Sequence, residues 1–374
     1  MASRSPFRPM HLAALALVCA CALPAAAAAQ DFRWTGGAAL GDQQWSHGAN
    51  WAGGVPPSGS VGTLQFPKLD GCPLTQQSKS CYSSDNDISG LTATSMSLEN
   101  TQGYFLAGNA LTLGSGGLKA APETNQCPCN PTLALLPIVL GADQTWSIDG
   151  LFGLTVDGTV TGPHALHIDV GSSSNAYFKD VEVGPVTMSA TGGSRSGFAF
   201  FVLMGSPSHP SELNGVDGQP VHVSGGILLR ASRAVVGSLS TDNAVVSGVG
   251  SSPPGKLDVN GGVTLDSRSE LLGYVAHSGA SAGKDYWQLA ASGPVDLAGA
   301  SLVLSVSTSK GYGPDQRCPK LKRGTVETLI KTKASLKGKF HGIRNKHKVR
   351  ITCSGKRPTL RIRYKKHAVT AKVV

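Results

Sequence analysis

From Gln30 to Ser307 short apolar runs alternate with Gly, Asn, Asp, Pro and Ser, and no stretch sustains a helical period. Residues 110–113, 133–140, 145–148, 154–156, 166–170, 221–223, 227–229, 257–259, 263–265 and 302–306 each read as a strand. Segments 154–170, 257–272 and 289–306 repeat one scheme: strand, glycine-containing corner, strand, corner, strand. A supersecondary unit repeated without a globular-core pattern predicts a solenoid. We therefore expect an all-β chain, a right-handed parallel β-helix with roughly 20 to 25 residues per coil and about a dozen coils. Stacked at ~4.8 Å, these coils make a rod roughly 50 to 60 Å long.

Residues 310–374 keep the alternation and change its polar half. Val349, Ile351 and Cys353 alternate with Lys348, Arg350 and Thr352, and Leu360, Ile362 and Tyr364 alternate with Arg361, Arg363 and Lys365. Leu336 and Phe340 likewise alternate with Lys337, Lys339 and His341, and Val369, Ala371 and Val373 with Lys372. A period of two puts the basic side chains on one face and turns Tyr364 inward. The region is either a small sheet of its own or the final coils. It holds 20 Lys or Arg against Asp315 and Glu327 alone, a balance of +18, whereas residues 30–309 balance at −10. The chain's net charge of +10 is therefore a property of its tail.

Arg4 and Arg8, an apolar run from Leu12 to Leu23, Pro24 and the alanines 25–29 form the pattern of a cleaved export signal. The run is too short to span a bilayer, so an exported, soluble product is expected, with 1–29 as signal, 30–309 as solenoid and 310–374 as basic β region. Val18 to Cys21 is a poor lipid-attachment motif. Cys19 and Cys21 leave with the signal, and six cysteines remain of the eight. In an oxidising compartment disulfides are the default for Cys72, Cys81, Cys127, Cys129, Cys318 and Cys353. Six cysteines allow 15 connectivities, and proximity favours Cys72 with Cys81 and Cys318 with Cys353. A bridge between Cys127 and Cys129, over one proline, would be strained.

The two ends also resemble a known family. Trp34, Trp45, Asn50, Trp51, Gly54, Pro56 and Phe66 at the start, and the run Tyr286 to Val306 with its glycine-rich, basic continuation at the end, are similar to the opening and closing coils of autotransporter-associated β-strand repeat proteins. That resemblance implies a passenger-like β-helix at the cell surface. Members that export themselves carry a membrane barrel, for which no room is expected after Val374. The resemblance also implies polar outward residues where this chain has Lys and Arg.

The basic face has two readings: it binds an anionic polymer, which would relieve repulsion among neighbouring cations, or it keeps an exposed sheet soluble. For the first, Lys337, Lys339, Lys348, Arg350, Arg361, Arg363 and Lys365 are the candidates, with acidic envelope or extracellular polymers as partners and no specific nucleic acid, since no outward aromatics are expected for base stacking. Trp34, Trp45 and Trp51 either stack on sugar rings or plug the open end of the core; a solenoid needs the plug. Asp149, Asp157 and Asp169, and Asp180 with Glu182, would serve a polysaccharide lyase or hydrolase only if two carboxylates converged within about 5 to 10 Å. Asp beside Gly at a corner is also ordinary turn chemistry. His164, His167, His209 and His222 show no metal-ligand spacing, and no metal or cofactor is expected. The sequence therefore points to a secreted, noncatalytic adhesion or surface solenoid, with a β-helical polysaccharide-degrading enzyme and a purely structural spacer as alternatives.

Overall fold

Residues 29–38, 42–56, 58–69, 82–99, 103–121, 132–149, 153–172, 174–191, 199–205, 209–214, 218–248, 255–275, 281–308, 311–312, 317–318, 320–351, 353–354 and 357–374 are described by a computed structural model. The leader and Cys72, Cys81, Cys127 and Cys129 lie outside the described residues, so those expectations meet no structural observation here.

Short strands with corner residues between them wind into three parallel ladders. The first passes through Phe32–Trp34, Gly59–Phe66, Leu91–Leu98, Leu111–Ala120, Gln144–Ile148, Leu166–Gly171, Val186–Thr191, Val221–Ser224, Leu239–Asp242, Val263–Leu265, Val295–Asp296 and Leu336–Lys337. These twelve strands span roughly 50 Å at the ~4.8 Å spacing of paired strands. The second ladder runs from Ser83–Asn86 to Ser301–Thr308 and the third from the first half of Gly59–Phe66 to Val326–Thr332. The fold is thus an all-β parallel β-helix, and its only helical element among the described residues is a single 3₁₀ turn, Gly48–Asn50. No helix among those residues is long and apolar enough to cross a membrane.

Because strands pair in register, like positions stack. Leu64, Met96, Leu118, Trp146, Ile168, Met188 and Val223 form one inward column, all buried, while the next position outward carries polar residues such as Thr145, His167, Thr187, His222 and Ser240. Hiding the apolar half of each strand between neighbouring coils is what stabilises the stack. Corners need special backbone. Gly117 bends the Leu111–Ala120 strand at φ 64°, and a Cβ there would lie 2.1 Å from the Thr145 carbonyl oxygen. Asn214 (φ 53°) is fully buried at another corner, where its Oδ1 accepts from the Val183 N–H at 2.9 Å and its Nδ2 donates to the Gly184 carbonyl at 2.8 Å.

Coil length varies more than the repeats suggest, from seventeen residues between Leu228 and Val245 to forty-one between Val295 and Leu336. The 133–140 run is not one strand. Pro137 has no N–H for a ladder, so the run breaks into Thr132–Ala134 and Ile138–Leu140, on different ladders, while the Pro137 carbonyl accepts from Leu111.

Both ends of the core are covered. At the start, Phe32–Trp34 pairs antiparallel with Trp51–Ala52, and Trp51 meets Trp34 and Trp45 edge to face at 5.1 and 5.6 Å. The Trp51 indole N–H donates to the Trp45 carbonyl, and that of Trp45 to Ser84 Oγ. With exposures of 4% or less, Trp34, Trp45 and Trp51 present no ring face on which a sugar could stack.

At the other end the tail is both final coil and separate sheet. Val326–Thr332 and Leu336–Lys337 pair parallel with the preceding coil; Val326–Thr332 then pairs antiparallel with Ala368–Val373, which continues to Thr359–Lys365 and Lys348–Arg350. The change of direction ends the stack. Phe340, Ile351, Cys353, Leu360, Ile362, Val369, Ala371 and Val373 join the core from beneath this sheet, and the Cys318–Cys353 disulfide ties it to the preceding loop.

Candidate anion-binding face on the C-terminal cap

Strand alternation decides which side of the cap each residue faces. Leu360 and Ile362 are buried and Tyr364 is half-buried, its hydroxyl accepting from the Phe340 N–H and donating to the Ile343 carbonyl, both at 3.1 Å. The residues between them point outward: Arg361 is partly exposed, and Arg363 and Lys365 are exposed, as are Lys348 and Arg350 on the neighbouring strand. The strand register puts Lys348 opposite Arg361 and Arg361 opposite Lys372, three cations in one row at the ~4.5 to 5.5 Å Cα spacing of antiparallel pairs. Arg350 lies opposite Thr359, Arg363 opposite Thr370 and Lys365 opposite Ala368, so small or hydroxyl residues separate the remaining charges.

The structure gathers five of the seven sequence candidates on this sheet. Lys339 is exposed in the connection after Leu336–Lys337, and Lys337 stands opposite Asp296 on the first parallel ladder. Their alternation is real, but it belongs to the last coil rather than to the cap. Lys372 belongs to the cationic row although the candidate set omits it, and its alternation with Ala371 and Val373 was the available signal.

Three cations of the shaft have partners, whereas Arg33, Lys68, Lys119, Lys179, Arg233 and Lys284 form no ion pair among the described residues. Lys256 pairs with Asp258 at 3.0 Å, Arg268 bridges Asp242 and Asp266, and Arg230 lies over the Phe200 ring at 4.5 Å. Among the described residues, Lys348, Arg350, Arg361, Arg363, Lys365 and Lys372 form no such ion pair. Six cations on one sheet with no carboxylate among them make a strongly positive surface. Like charges directly opposed across strands are destabilising, and an anionic polymer seated there would convert that repulsion into attraction.

The carboxylate candidates for catalysis do not assemble into one centre. Asp169 lies on the first ladder, with Ser147 and Ser189 as its neighbours in register; Asp157 falls in a bulge of Gly153–Thr161; Asp180 stands opposite Glu212 on the third ladder. Asp169, His167 and Ser189 do meet, with His167 Nε2 at 2.9 Å from Asp169 Oδ1 and 3.2 Å from Ser189 Oγ. In a nucleophile relay the serine and the carboxylate occupy opposite ring nitrogens. Here both share Nε2, and Ser189 donates directly to Asp169, so the imidazole has no route for passing a proton from one to the other. His164 lies 3.5 Å from Asp143, and His222 Nδ1 lies 2.9 Å from Ser240 Oγ. No group of three or more His, Cys, Asp or Glu among the described residues could hold a metal ion.

One carboxylate is out of place for an outward-facing pattern. Glu327 is fully buried on Val326–Thr332, and neither of its oxygens has a hydrogen-bond partner. Burial, with a smaller contribution from the Asp285 charge, pushes its acid group up to about 8, so it is neutral at pH 7. No protein-family model matches the chain, and no curated protein is similar to it at a significant level.

Proposed function

We propose that this chain is a secreted, noncatalytic β-solenoid that attaches to anionic envelope or extracellular polymers through the cationic sheet of its C-terminal cap. The observation that carries the reading is the concentration of charge on the cap: Lys348, Arg350, Arg361, Arg363, Lys365 and Lys372 share one sheet with no carboxylate partner among the described residues. Counterion release from a polyanion makes such binding strong at low salt and weak at high salt. The export pattern at the N-terminus and the similarity of both ends to autotransporter-associated repeat proteins support a surface location. Tryptophans committed to the end of the core, and a His–Asp–Ser cluster without relay geometry, weigh against the polysaccharide-degrading alternative, for which strand register supplies one carboxylate pair, Asp180 opposite Glu212.

Fractionating producing cells into medium and envelope, then washing the envelope with rising salt, tests the proposal. Retention on the envelope and release by moderate salt agree with it. Release only by detergent, or no retention at all, sinks it.

A further inference from the structure

A second basic feature lies beside the sheet, and it is concave. Arg317, Lys320 and Arg323 on one side and Arg357 on the other line a groove of about 650 Å³ whose apolar lining includes Leu321, Pro358 and Val373. The Cys318–Cys353 disulfide joins the two walls directly. Around it the Cys318 N–H donates to the Ser354 carbonyl at 3.1 Å, and the Gly324 N–H donates to that of Val373 at 2.9 Å. Arg357 is aimed by its Nε, which donates to the Cys353 carbonyl at 3.3 Å and leaves the rest of its guanidinium for a ligand. Ser354 and Thr359 add hydroxyls to the lining and Val374 also lines it, while no carboxylate side chain among the described residues does.

We propose that this groove is a binding site for a single tetrahedral oxyanion, a phosphate or sulfate group, and that the disulfide assembles it. Four cations around one concavity focus positive potential where a flat surface would spread it. Guanidinium forks match the oxygens of phosphate and sulfate in pairs, which a point charge does not. The disulfide sets the separation of the two walls: Arg317 precedes one cysteine, and Arg357 holds the carbonyl of the other. Opening it lets the loop carrying Arg317, Lys320 and Arg323 move away from Arg357. None of the groove's four cations is among those of the sheet face, so the inference stands whether or not the cap holds polymers.

Calorimetric titration of the oxidised full chain with inorganic phosphate, and separately with sulfate, at low ionic strength is the test. One saturable site for either anion is expected, with the preferred anion identifying the ester it takes. R317A/R357A, which keeps the disulfide, should weaken binding at least about tenfold, the loss expected for one or more charge-assisted hydrogen bonds. C318S/C353S should weaken it by a similar factor while circular dichroism shows the solenoid intact; if that variant fails to fold, the arginine variant decides alone. No saturable binding of phosphate or sulfate at millimolar concentration, or binding that R317A/R357A leaves unchanged, overturns the proposal.

Discussion

Replacing Glu327 by Gln should make the C-terminal cap indifferent to pH in a range where the natural protein is not. Glu327 faces inward from the last parallel strand, opposite Ala371 on the first antiparallel one, so an ionised carboxylate there sits beneath the cap without a partner. Its acid group moves from 4.5 in the open chain to about 8 in the folded cap. A carboxyl raised in this way costs nothing below pH 4.5. Its cost grows as the pH climbs and levels off once pH 8 is passed. At ~1.4 kcal/mol per pH unit, the cap loses about 3 kcal/mol by pH 7 and between 4 and 5 kcal/mol by pH 9.

Global unfolding is a poor gauge, because coils of a solenoid unfold separately. Amide hydrogen exchange of Ala368–Val373 reports the cap alone. Natural protein and E327Q are compared at the same pH, so the intrinsic chemistry of exchange cancels. Relative to E327Q, protection in the natural protein should fall by about 10²- to 10³-fold between pH 5 and pH 9. A ratio that stays constant across this range would refute the reasoning, because it would mean that Glu327 keeps water or a partner when charged.

Three further outcomes follow from particular contacts. R361T, which breaks the Lys348–Arg361–Lys372 row, should stabilise the cap by about 0.5 kcal/mol at low salt and by nothing measurable near 1 M salt, as followed by the same exchange. N214A leaves the Val183 N–H and the Gly184 carbonyl without their buried partner and should cost about 2 to 4 kcal/mol; N214G, which tolerates the φ of 53°, isolates the hydrogen-bond share in thermal melts. G117A should destabilise the Leu111–Ala120 and Gln144–Ile148 pairing by at least about 2 kcal/mol, seen as new protease cleavage between these coils.

The architecture was legible because each apolar run is flanked by residues that can turn, and because strand alternation survives into the tail. Leu360, Ile362, Arg361 and Arg363 face as their spacing says. What escaped depends on contacts between distant segments. The break at Pro137 is hidden inside an apolar run, and Asp157 is displaced by a bulge that its own neighbours do not announce. Glu327 entered the sequence reading only as one of the tail's two acids, and the register of Val326–Thr332 turns it inward. Val326–Thr332 shifts register between Thr328 and Ile330, so Leu329 and Ile330 are both buried, which strict alternation forbids. The groove of Arg317 and Arg357 joins residues forty positions apart, on the two sides of the Cys318–Cys353 disulfide. The cationic row needed strand register, which composition does not contain, although the period-two pattern named most of its members.

The most direct test of the cap's role is the affinity of the purified protein for an immobilised sulfated or phosphorylated polymer over a range of salt. With six outward cations each releasing ~0.7 counterion, the logarithm of affinity should fall against the logarithm of salt with a slope of roughly −4, and R350E/R361E/R363E should remove retention while leaving the β spectrum unchanged. A slope near zero, or a charge-reversed cap that binds as well as the natural one, would contradict the account.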